Sequence, residues 1–545
     1  MMKRIACTYH MADRTAAFEC QGVAEYHQDG LHMALYGRLM IGDKAGDFAA
    51  IHQALREDPD LKTQNFGGMY LLLVYDRRTG GLRLFQDFFN APLAAYYVQV
   101  GDRLYVDTSL KHLMARTGLR PDINRAAVIQ FLRYGAVYGS DTLLEGINKL
   151  AALNALAAEG QKLWQYRVTY DGGETGLEQA KSRWESSMQA SILACAQGQS
   201  VLHMPLSAGY DSNYILYTLS QYTQAPVHAY TLGVRHGASE AEVVKQNAAC
   251  YPRVQLNIGY TDQETLSHME DLVWRLEGAV FETGIFLQYE LARLIAGQGG
   301  TCALCGECAD QLMNQDFRID PEEVPNPHYA QITQDPYAYG AGIVVKKSGI
   351  MLNSFGVEGY YPYIDLGLAG LCRALAPINK KGKLYHKALC QKRFPAPILR
   401  RIAKVGGSTP LHSLFESQEQ IDDFLVMVRN SGAWRQFAPL LPQESAGEQS
   451  GLWGKLRRFV GSEPNLRLVW AKVLSKLRVT QADQYTAQYR RQERQLNQAM
   501  RIWYLDVFQR LFVEDFRPQL IGQSLSPRPQ VPILQEDWTP MEKCG

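Results

Sequence analysis

Short apolar runs separated by turn residues mark the first part of the chain. Residues 69–75 and 82–85 form one pair of such runs, and residues 94–100 and 103–106 form a second pair. Gly and Asp stand between the paired runs, so each pair predicts a β-hairpin. Hairpins that bury apolar faces in this way are typical of a packed antiparallel sheet.

After about residue 175 the pattern changes to strand-like and helix-like segments in alternation. This alternation predicts a parallel sheet with helices packed on its faces. The predicted strands cover residues 201–206, 227–232, 254–258 and 301–305, and the predicted helices cover residues 213–219, 240–249 and 290–295.

Apolar residues return at helical spacing in the last part of the chain, which predicts helices there. Residues 443–454 are polar and Gly-rich and predict a loop between these helices. The chain has 545 residues, too many for one ordinary core, and we divide it into residues 1–175, 176–412 and 413–545. The helical stripes are Ile421, Phe424, Leu425 and Val428, and Ile502, Leu505, Phe508 and Phe512.

Composition narrows the class of protein. With 46% hydrophobic and 20% charged residues, the chain has the balance of a soluble globular protein. The net charge of +1 does not indicate a basic surface that binds nucleic acid. No apolar run has the length of a membrane span. The first residues lack the apolar region of a signal peptide, and the ten cysteines suit a reducing compartment. We therefore expect a cytoplasmic protein that binds neither nucleic acid nor membrane.

The first segment that carries chemistry lies between a predicted strand and the helix that follows it. Small residues there allow the backbone to approach a ligand, and the N–H groups at a helix start form an anion site. An acidic residue in such a loop repels phosphate unless a metal joins them, so Asp211 implies Mg²⁺. An ordinary strand–helix turn with a serine cap is the alternative. The segment reads Leu206, Ser207, Ala208, Gly209, Tyr210, Asp211 and Ser212.

A second segment, residues 304–311, also follows a predicted strand and contributes two more carboxylates. In open α/β sheets, ligands bind at the carboxyl ends of the strands. We therefore expect Asp211 and Asp310 to share a metal ion, which leaves Glu307 for proton transfer.

Together with three later segments in the same order, these two segments resemble the asparagine synthetase family. Residues 207–212 are similar to the family's pyrophosphate loop, with Ala208 in place of one glycine. Residues 304–310 resemble its Leu-Ser-Gly-Glu-Gly-Ala-Asp signature, with Cys305 and Cys308 as departures. The later segments that match family blocks are residues 356–365, 382–385 and 401–406.

The resemblance implies a fold class, which is α/β with an α+β N-terminal domain. An Ntn-hydrolase-like antiparallel sandwich is followed by a parallel α/β synthetase domain, which carries the pyrophosphate loop (PP-loop) and has a helical C-terminal part. The resemblance also implies the reaction, in which ATP activates a carboxylate as its acyl-adenylate before an amide forms. The chain is then expected to be an AMP-forming carbon–nitrogen ligase.

The resemblance assigns roles to individual residues. Mg²⁺ is expected on Asp211 and Asp310, and Glu307 matches an acid implicated in acyl transfer. Lys404 matches a lysine that stabilises the negative charge of adenylation, although an isolated lysine is often only a solvated surface residue. The implied ATP pocket consists of the PP-loop together with Leu206, Leu232, Cys305 and Gly306.

We expect the glutaminase activity of the family's first domain to be absent. That activity needs a cysteine with a free α-amine directly after the initiator Met, whereas this sequence has Met2 there, and Cys7 is no substitute. Where glutamine-using members have Asn-Gly-Glu, this chain has Tyr36, Gly37 and Arg38. In this respect it is similar to β-lactam synthetases and lasso-peptide cyclases, whose amine is carried by the substrate.

The substrates stay open at this point. β-Lactam synthetases usually carry Tyr at the position of Glu307, so a β-lactam product is disfavoured, whereas ammonia, an external amine and an intramolecular amine all remain. The carboxylate is a small molecule or a peptide, and a macrolactam-forming peptide cyclase is one alternative. A homodimer or a complex with a pathway protein is also compatible with the sequence.

Two other interpretations compete with the ligase. A family member that binds a nucleotide without catalysis is compatible with Ala208, but the retained carboxylates and lysine of the motifs argue against it. Cys302, Cys305 and Cys308 have the spacing of an iron–sulfur run, although the nucleotide site already explains this segment.

Overall fold

The structure is a computed structural model of the chain. It describes residues 2–41, 44–64, 66–89, 93–170, 177–234, 240–282, 284–314, 336–375, 383–401, 411–441 and 480–525. The predicted limit at residue 175 and the predicted loop over residues 443–454 fall outside these ranges. The two predicted domain limits, at residues 175 and 412, stay predictions.

Residues 2–170 form two antiparallel sheets, with the strand order β11-β9-β10-β1-β2 in one and β13-β12-β8-β7-β4-β3 in the other. Strand β5 pairs with β4, and β6 pairs with β14. The strands are β1 Ala6–His10, β2 Thr15–Phe18, β3 Ala24–Gln28, β4 Leu31–Ile41, β5 Lys44–Ala45, β6 Thr63–Gln64, β7 Phe66–Asp76, β8 Gly81–Gln86, β9 Tyr96–Val100, β10 Arg103–Asp107, β11 Asn148–Lys149, β12 Asn154–Glu159, β13 Lys162–Arg167 and β14 Thr169–Tyr170. The helices of this part are α1 Phe48–Glu57, α2 Leu110–Thr117 and α3 Arg125–Tyr134.

Strand β7 shows how the two sheets pack. Leu71 and Leu73 lie in the core between the sheets, whereas Tyr70 and Leu72 lie in the larger core on the other face. A strand that is buried on both faces reads as a continuous apolar run, as residues 69–75 do. Both predicted hairpins are confirmed, because β7 pairs with β8 and β9 pairs with β10, each antiparallel.

The second part alternates strands and helices, as predicted. Its strands are β15 Leu202–Pro205, β16 Val227–Val234, β17 Val254–Thr261, β18 Cys302–Leu304 and β19 Glu358–Tyr360. Its helices are α4 Leu177–Ala196, α5 Tyr210–Tyr222, α6 Ala241–Ala248, α7 Gln263–Ser267, α8 Met269–Leu276, α9 Ile285–Gly297, α10 Ala309–Asn314, α11 Pro336–Ser354, α12 Leu366–Ala374, α13 Leu384–Arg393 and α14 Ala396–Arg401.

The parallel strands form two hydrogen-bonded groups. Strands β15, β16 and β17 form a three-stranded parallel sheet, and β18 pairs in parallel with β19. Strand β18 lies beside β15, so the loops that follow these two strands come together. The sequence did not predict β19, because Glu358, Gly359 and Tyr360 form no apolar run.

The last part is helical, and both predicted apolar stripes are buried in the core. Phe512 lies in a π-helical turn that continues the long helix. None of the helices in the described ranges has both the length and the apolarity that crossing a bilayer requires. The helices are α15 Gln418–Asn430, α16 Gly432–Phe437 and α17 Thr480–Gln509, with 3₁₀ turns at Leu411–Leu414, Ala438–Leu440 and Pro518–Leu520 and the π-helix Arg510–Glu514.

A buried carboxylate joins the antiparallel part to the parallel part. Glu277 ends α8 with a φ of 55°, and its oxygens accept hydrogen bonds from Ser109 Oγ and Leu110 N, both at 2.6 Å. Lys111 Nζ lies 2.9 Å from Glu277 Oε1, and the two side chains are only 6% and 5% exposed. Removing one partner of such an ion pair leaves the other charge buried and uncompensated.

We expect Glu277→Ala to lower the free energy of unfolding by about 3–5 kcal/mol, because Lys111 would stay buried without a carboxylate. Urea denaturation followed by fluorescence measures the change. Glu270→Ala is the matched control on the same helix, since Glu270 and its partner Arg510 are 47% and 45% exposed. Such an exposed pair contributes about 0–1 kcal/mol. Equal effects of the two substitutions would contradict the stabilising role of Glu277.

Candidate active site

The loop between β15 and α5 is held in a tight turn by its own side chains. Ser207 Oγ and Ser212 Oγ lie 2.9 Å apart, and Ser207 N donates to Ser212 Oγ at 3.1 Å. Asn213 Nδ2 donates to Ser207 O at 2.9 Å and to Gly209 O at 2.7 Å. The chain is thereby shaped before the helix begins, as an anion-binding loop requires.

The start of α5 carries the backbone features of a ligand site. Gly209 caps the helix without a side-chain hydrogen bond, so no cap side chain competes with a ligand for the partial positive charge of the helix start. Ala208 fits where the family has glycine, because its φ lies outside the left-handed region. Leu206 N donates to Tyr230 O at 2.7 Å and anchors the loop to the sheet.

Three charged side chains from distant segments meet beside this loop. Lys383 Nζ lies 2.5 Å from Asp211 Oδ2 and 2.8 Å from Asp310 Oδ1. Asp211 lies in the first turn of α5 and Asp310 in the first turn of α10, while Lys383 caps the start of α13. The Lys383 side chain is only 4% exposed. The structure therefore brings the two aspartates together around the ammonium group of Lys383.

This cluster has the chemistry to hold a divalent cation. Burial by itself raises the pKa of Asp211, but Lys383 and His386 together outweigh that effect and hold the pKa well below its usual range. Asp211 Oδ1 is buried without a hydrogen-bond partner, and His386 Nε2, at 3.5 Å, is too distant for a strong hydrogen bond. Two carboxylates and one ammonium leave a net negative charge, and Mg²⁺ prefers carboxylate oxygens. The residues therefore fit Mg²⁺.

A carboxylate lies where the PP-loop would bind an anion. Glu240 Oε2 accepts a hydrogen bond from Ala208 N at 2.9 Å. Burial raises the pKa of Glu240 to about 7, although the Ala208 N–H group acts in the opposite direction. A phosphate oxygen is an acceptor of the same kind, so the Glu240 carboxylate shows that this backbone donor is directed toward an anion.

Glu307 lies in the turn between β18 and α10. Its Oε1 accepts a hydrogen bond from Gln288 Nε2 at 2.8 Å. Burial raises the pKa of Glu307, while Gln288 and the nearby Lys347 lower it. Lys347 is itself paired with Glu282 at 2.6 Å. A carboxylate that is held by an amide and has raised proton affinity is suited to accept a proton.

The other residues of the predicted ATP pocket lie around the loop. A Cβ atom on Gly306 would lie 3.5 Å from Ser212 N, so the turn after β18 contacts the start of α5. Cys305 is buried, and its N–H group donates to Tyr360 O at 2.7 Å. Leu232 lies in β16, which pairs with β15. Contact of these residues with a nucleotide stays a prediction.

Several functional contacts were not visible in the sequence. Lys383 lies in a segment that matched a family block, but it received no role there. Glu240 and Gln288 belong to no motif, and only the folded chain reveals their partners. Lys404, the second predicted catalytic residue, lies outside the described residues.

The three clustered cysteines are buried thiols. Burial raises the pKa of Cys302 to about 11 and raises the pKa values of Cys305 and Cys308 well above the usual range. Within the described part of the chain, their sulfur atoms do not form a group close enough to ligate one metal. The geometry thus gives the iron–sulfur interpretation no support.

Cys7 and Arg38 of the antiparallel part both take part in packing. Cys7 lies in β1, between β10 and β2, and burial raises the pKa of its thiol far above the usual range. The Arg38 side chain extends from this part to the end of α4. It donates to Ala194 O, and its Nη2 donates to Gln197 Oε1 at 2.9 Å. The guanidinium therefore lies at the C-terminal end of α4, where a cation is favoured.

Two family models match the chain. Residues 183–333 match the asparagine synthase model, and residues 43–167 match the model of a glutamine amidotransferase domain. These two matches support an asparagine synthetase family member. The asparagine synthase match supports a ligase-type enzyme of a family of ATP-dependent amide ligases.

The solved structures that show weak similarity to this chain include two enzymes. One is described as the allosteric regulatory enzyme of purine biosynthesis, with 8% identity and a TM-score of 0.18 over 47% of this chain and 74% of that chain. The other is glutamine phosphoribosylpyrophosphate amidotransferase from B. subtilis complexed with ADP and GMP, with 9% identity and a TM-score of 0.17 over 44% of this chain and 77% of that chain. At these TM-scores neither similarity supports an inference. No curated protein matches the chain.

We expect Glu240→Gln to tighten ATP binding, and to do so most at alkaline pH. With a pKa of about 7, the Glu240 carboxyl is mostly neutral at about pH 6 and charged at about pH 8, where it repels phosphate and competes for Ala208 N–H. Between these pH values, the dissociation constant of wild type for Mg²⁺-ATP should rise by up to about tenfold more than that of the variant.

Isothermal titration calorimetry at both pH values measures this difference. Glu242→Gln is the control, because Glu242 is an exposed carboxylate only two residues away. A pH dependence that is the same in wild type and Glu240→Gln would show that Glu240 does not compete with the nucleotide.

Proposed function

We propose that the chain is an AMP- and pyrophosphate-forming amide ligase that does not hydrolyse glutamine. It activates a carboxylate as the acyl-adenylate, which an amine or ammonia then attacks. The observation that carries the proposal is the meeting of Asp211 and Asp310 at one buried cation, beside a loop shaped to bind an anion.

Charge balance supports an adenylation site here. A triphosphate would be repelled by two aspartates alone. Mg²⁺ held by Asp211 and Asp310 would bridge them to the phosphates and neutralise the charge that develops on departing pyrophosphate. Until the metal binds, Lys383 keeps the two carboxylates together, and the backbone N–H groups of the PP-loop would orient the phosphate oxygens.

The charged side chains of the site are arranged like the charges of a metal–phosphate complex. The Lys383 ammonium occupies a cation position between two carboxylates, and the Glu240 carboxylate occupies an anion position at Ala208 N–H. A neighbouring cation position and anion position are what a metal–phosphate complex needs. Both side chains must therefore adjust when Mg²⁺-ATP binds.

The second half-reaction needs a group that accepts a proton from the attacking amine. Glu307 suits this role because burial raises its proton affinity and Gln288 fixes its carboxylate. It lies one residue from Gly306, which adjoins the start of α5. We assign Lys404 to stabilise the charge of the transition state, an assignment that rests on the sequence resemblance.

The antiparallel part supports an amine source other than glutamine. A glutaminase nucleophile must be exposed and ionisable, whereas the Cys7 thiol is fully buried in β1. Arg38 is engaged with α4 instead of forming a glutamine pocket. The nitrogen is therefore supplied as ammonia or as an amine of the substrate.

We expect Asp211→Asn to abolish pyrophosphate release while the protein stays folded. The substitution removes a carboxylate from the metal site but keeps the volume of the side chain, so turnover should fall by about a hundredfold or more. ATP–pyrophosphate exchange with a panel of carboxylic acids and peptides measures adenylation, and circular dichroism monitors the fold. Asp423→Asn, an exposed change on α15, should have no effect. Full exchange by Asp211→Asn would refute the assigned site.

We expect glutamine to be neither hydrolysed nor used as nitrogen donor, because the Cys7 thiol is buried and protonated. The measurement is glutamate formation from glutamine by the full chain, with and without Mg²⁺-ATP and carboxylate. Ammonium at the same concentration is the positive comparison. Glutamate above the level of a heat-inactivated sample would disprove the loss of glutaminase activity.

A further inference from the structure

We propose that Glu25, His27 and His32 form a zinc site on the β3–β4 hairpin. The hairpin closes through a two-residue turn in which Asp29 and Gly30 have φ values of 51° and 81°. Two successive positive φ values are the requirement of a type I′ turn, whose twist matches that of paired strands. The turn therefore sets the register of the two strands.

That register places the three side chains together. His27 stands directly opposite His32 in the antiparallel ladder. Glu25 lies two residues before His27, and residues two apart in a strand share one face. The ligand atoms of the three residues all lie within 4.8 Å of one another. Tetrahedral zinc ligands are about 3.3 Å apart for bonds of about 2.0 Å, so small side-chain rotations complete the site.

His32 is already held in position for a metal ion. Its ring stacks on Phe18 with 3.7 Å between centroids, and the His27 ring lies 3.7 Å away on an inclined plane. Residue His32 is 8% exposed, and its Nε2 lies 3.0 Å from Glu25 Oε2. Zinc would replace the hydrogen shared between these two atoms. The exposed Glu25 and His27 leave a water molecule free to complete the coordination.

The donor set identifies the class of metal. Two imidazoles and one carboxylate suit Zn²⁺, whereas Mg²⁺ and Ca²⁺ prefer sites built from oxygen alone. Among the described strands, β3 pairs only with β4 and forms one end of its sheet. Zinc would link the two strands of this hairpin and protect the sheet edge. The site is built by the antiparallel sheet and does not depend on the proposed ligase activity.

Zinc titration of the full chain after treatment with a chelator tests the proposal. Isothermal titration calorimetry should detect Zn²⁺ binding that His27→Ala weakens by about tenfold or more, because a ligand is lost. Glu25→Gln should weaken it as well. His10→Ala is the control, because His10 lies in β1 outside the cluster, and it should bind Zn²⁺ as wild type does.

Cobalt substitution gives an independent readout. Co²⁺ in a site of this type should produce visible absorption bands that His27→Ala removes and His10→Ala keeps. Since His27 and Glu25 are exposed, these variants are expected to fold normally, which circular dichroism checks. Equal Zn²⁺ affinity of wild type and His27→Ala, or no Zn²⁺ binding at all, would overturn the proposal.

Discussion

The Lys383 ammonium lies between the carboxylates of Asp211 and Asp310, and this buried ion cluster ties three distant segments of the chain to one point. Burying a charge costs several kcal/mol unless it is paired, and Lys383 is only 4% exposed. Helices α5, α10 and α13 must therefore begin close to one another. That requirement in turn keeps β15 beside β18, so the turns that follow them form one site.

The same cluster also balances charges and hydrogen-bond donors that would otherwise have no partner in the chain. Asp211 and Asp310 would repel each other if no cation were present, and the N–H group of Ala208 would lack an acceptor. Lys383 and Glu240 supply these two partners from within the chain. Electrostatic energy that would otherwise destabilise the fold is therefore balanced within the chain.

The antiparallel part acts as a scaffold for that site. Lys3 Nζ pairs with Glu358 at 2.6 Å, and Glu358 begins β19, the partner of β18. Arg38 holds the end of α4, and Glu277 joins α8 to the start of α2. Each contact crosses from the antiparallel part to an element of the parallel part. These contacts stabilise the parallel part whether or not the antiparallel part uses glutamine.

Much of the fold could be predicted from the sequence, because local sequence patterns indicate local structure. The hairpins, the strand–helix alternation and the two tail stripes follow from periodicity, and the PP-loop and residues 304–310 follow from short motifs. Strand β19 was not predicted because Glu358, Gly359 and Tyr360 form no apolar run. Lys404 stays a prediction from resemblance, since it lies outside the described residues.

The sequence by itself determined the alternation of strands and helices, the resemblance to the asparagine synthetase family and the two strand ends that carry Asp211 and Asp310. Only the tertiary structure decided that Lys383 pairs with both aspartates, that Glu240 accepts a hydrogen bond from Ala208 N, and that Arg38 donates to the C-terminal end of α4. The physical reason is that a motif records residues that are adjacent along the chain. Charge pairing is decided in space, where burial forces each ionised group to find an opposite charge or donor regardless of its distance in sequence.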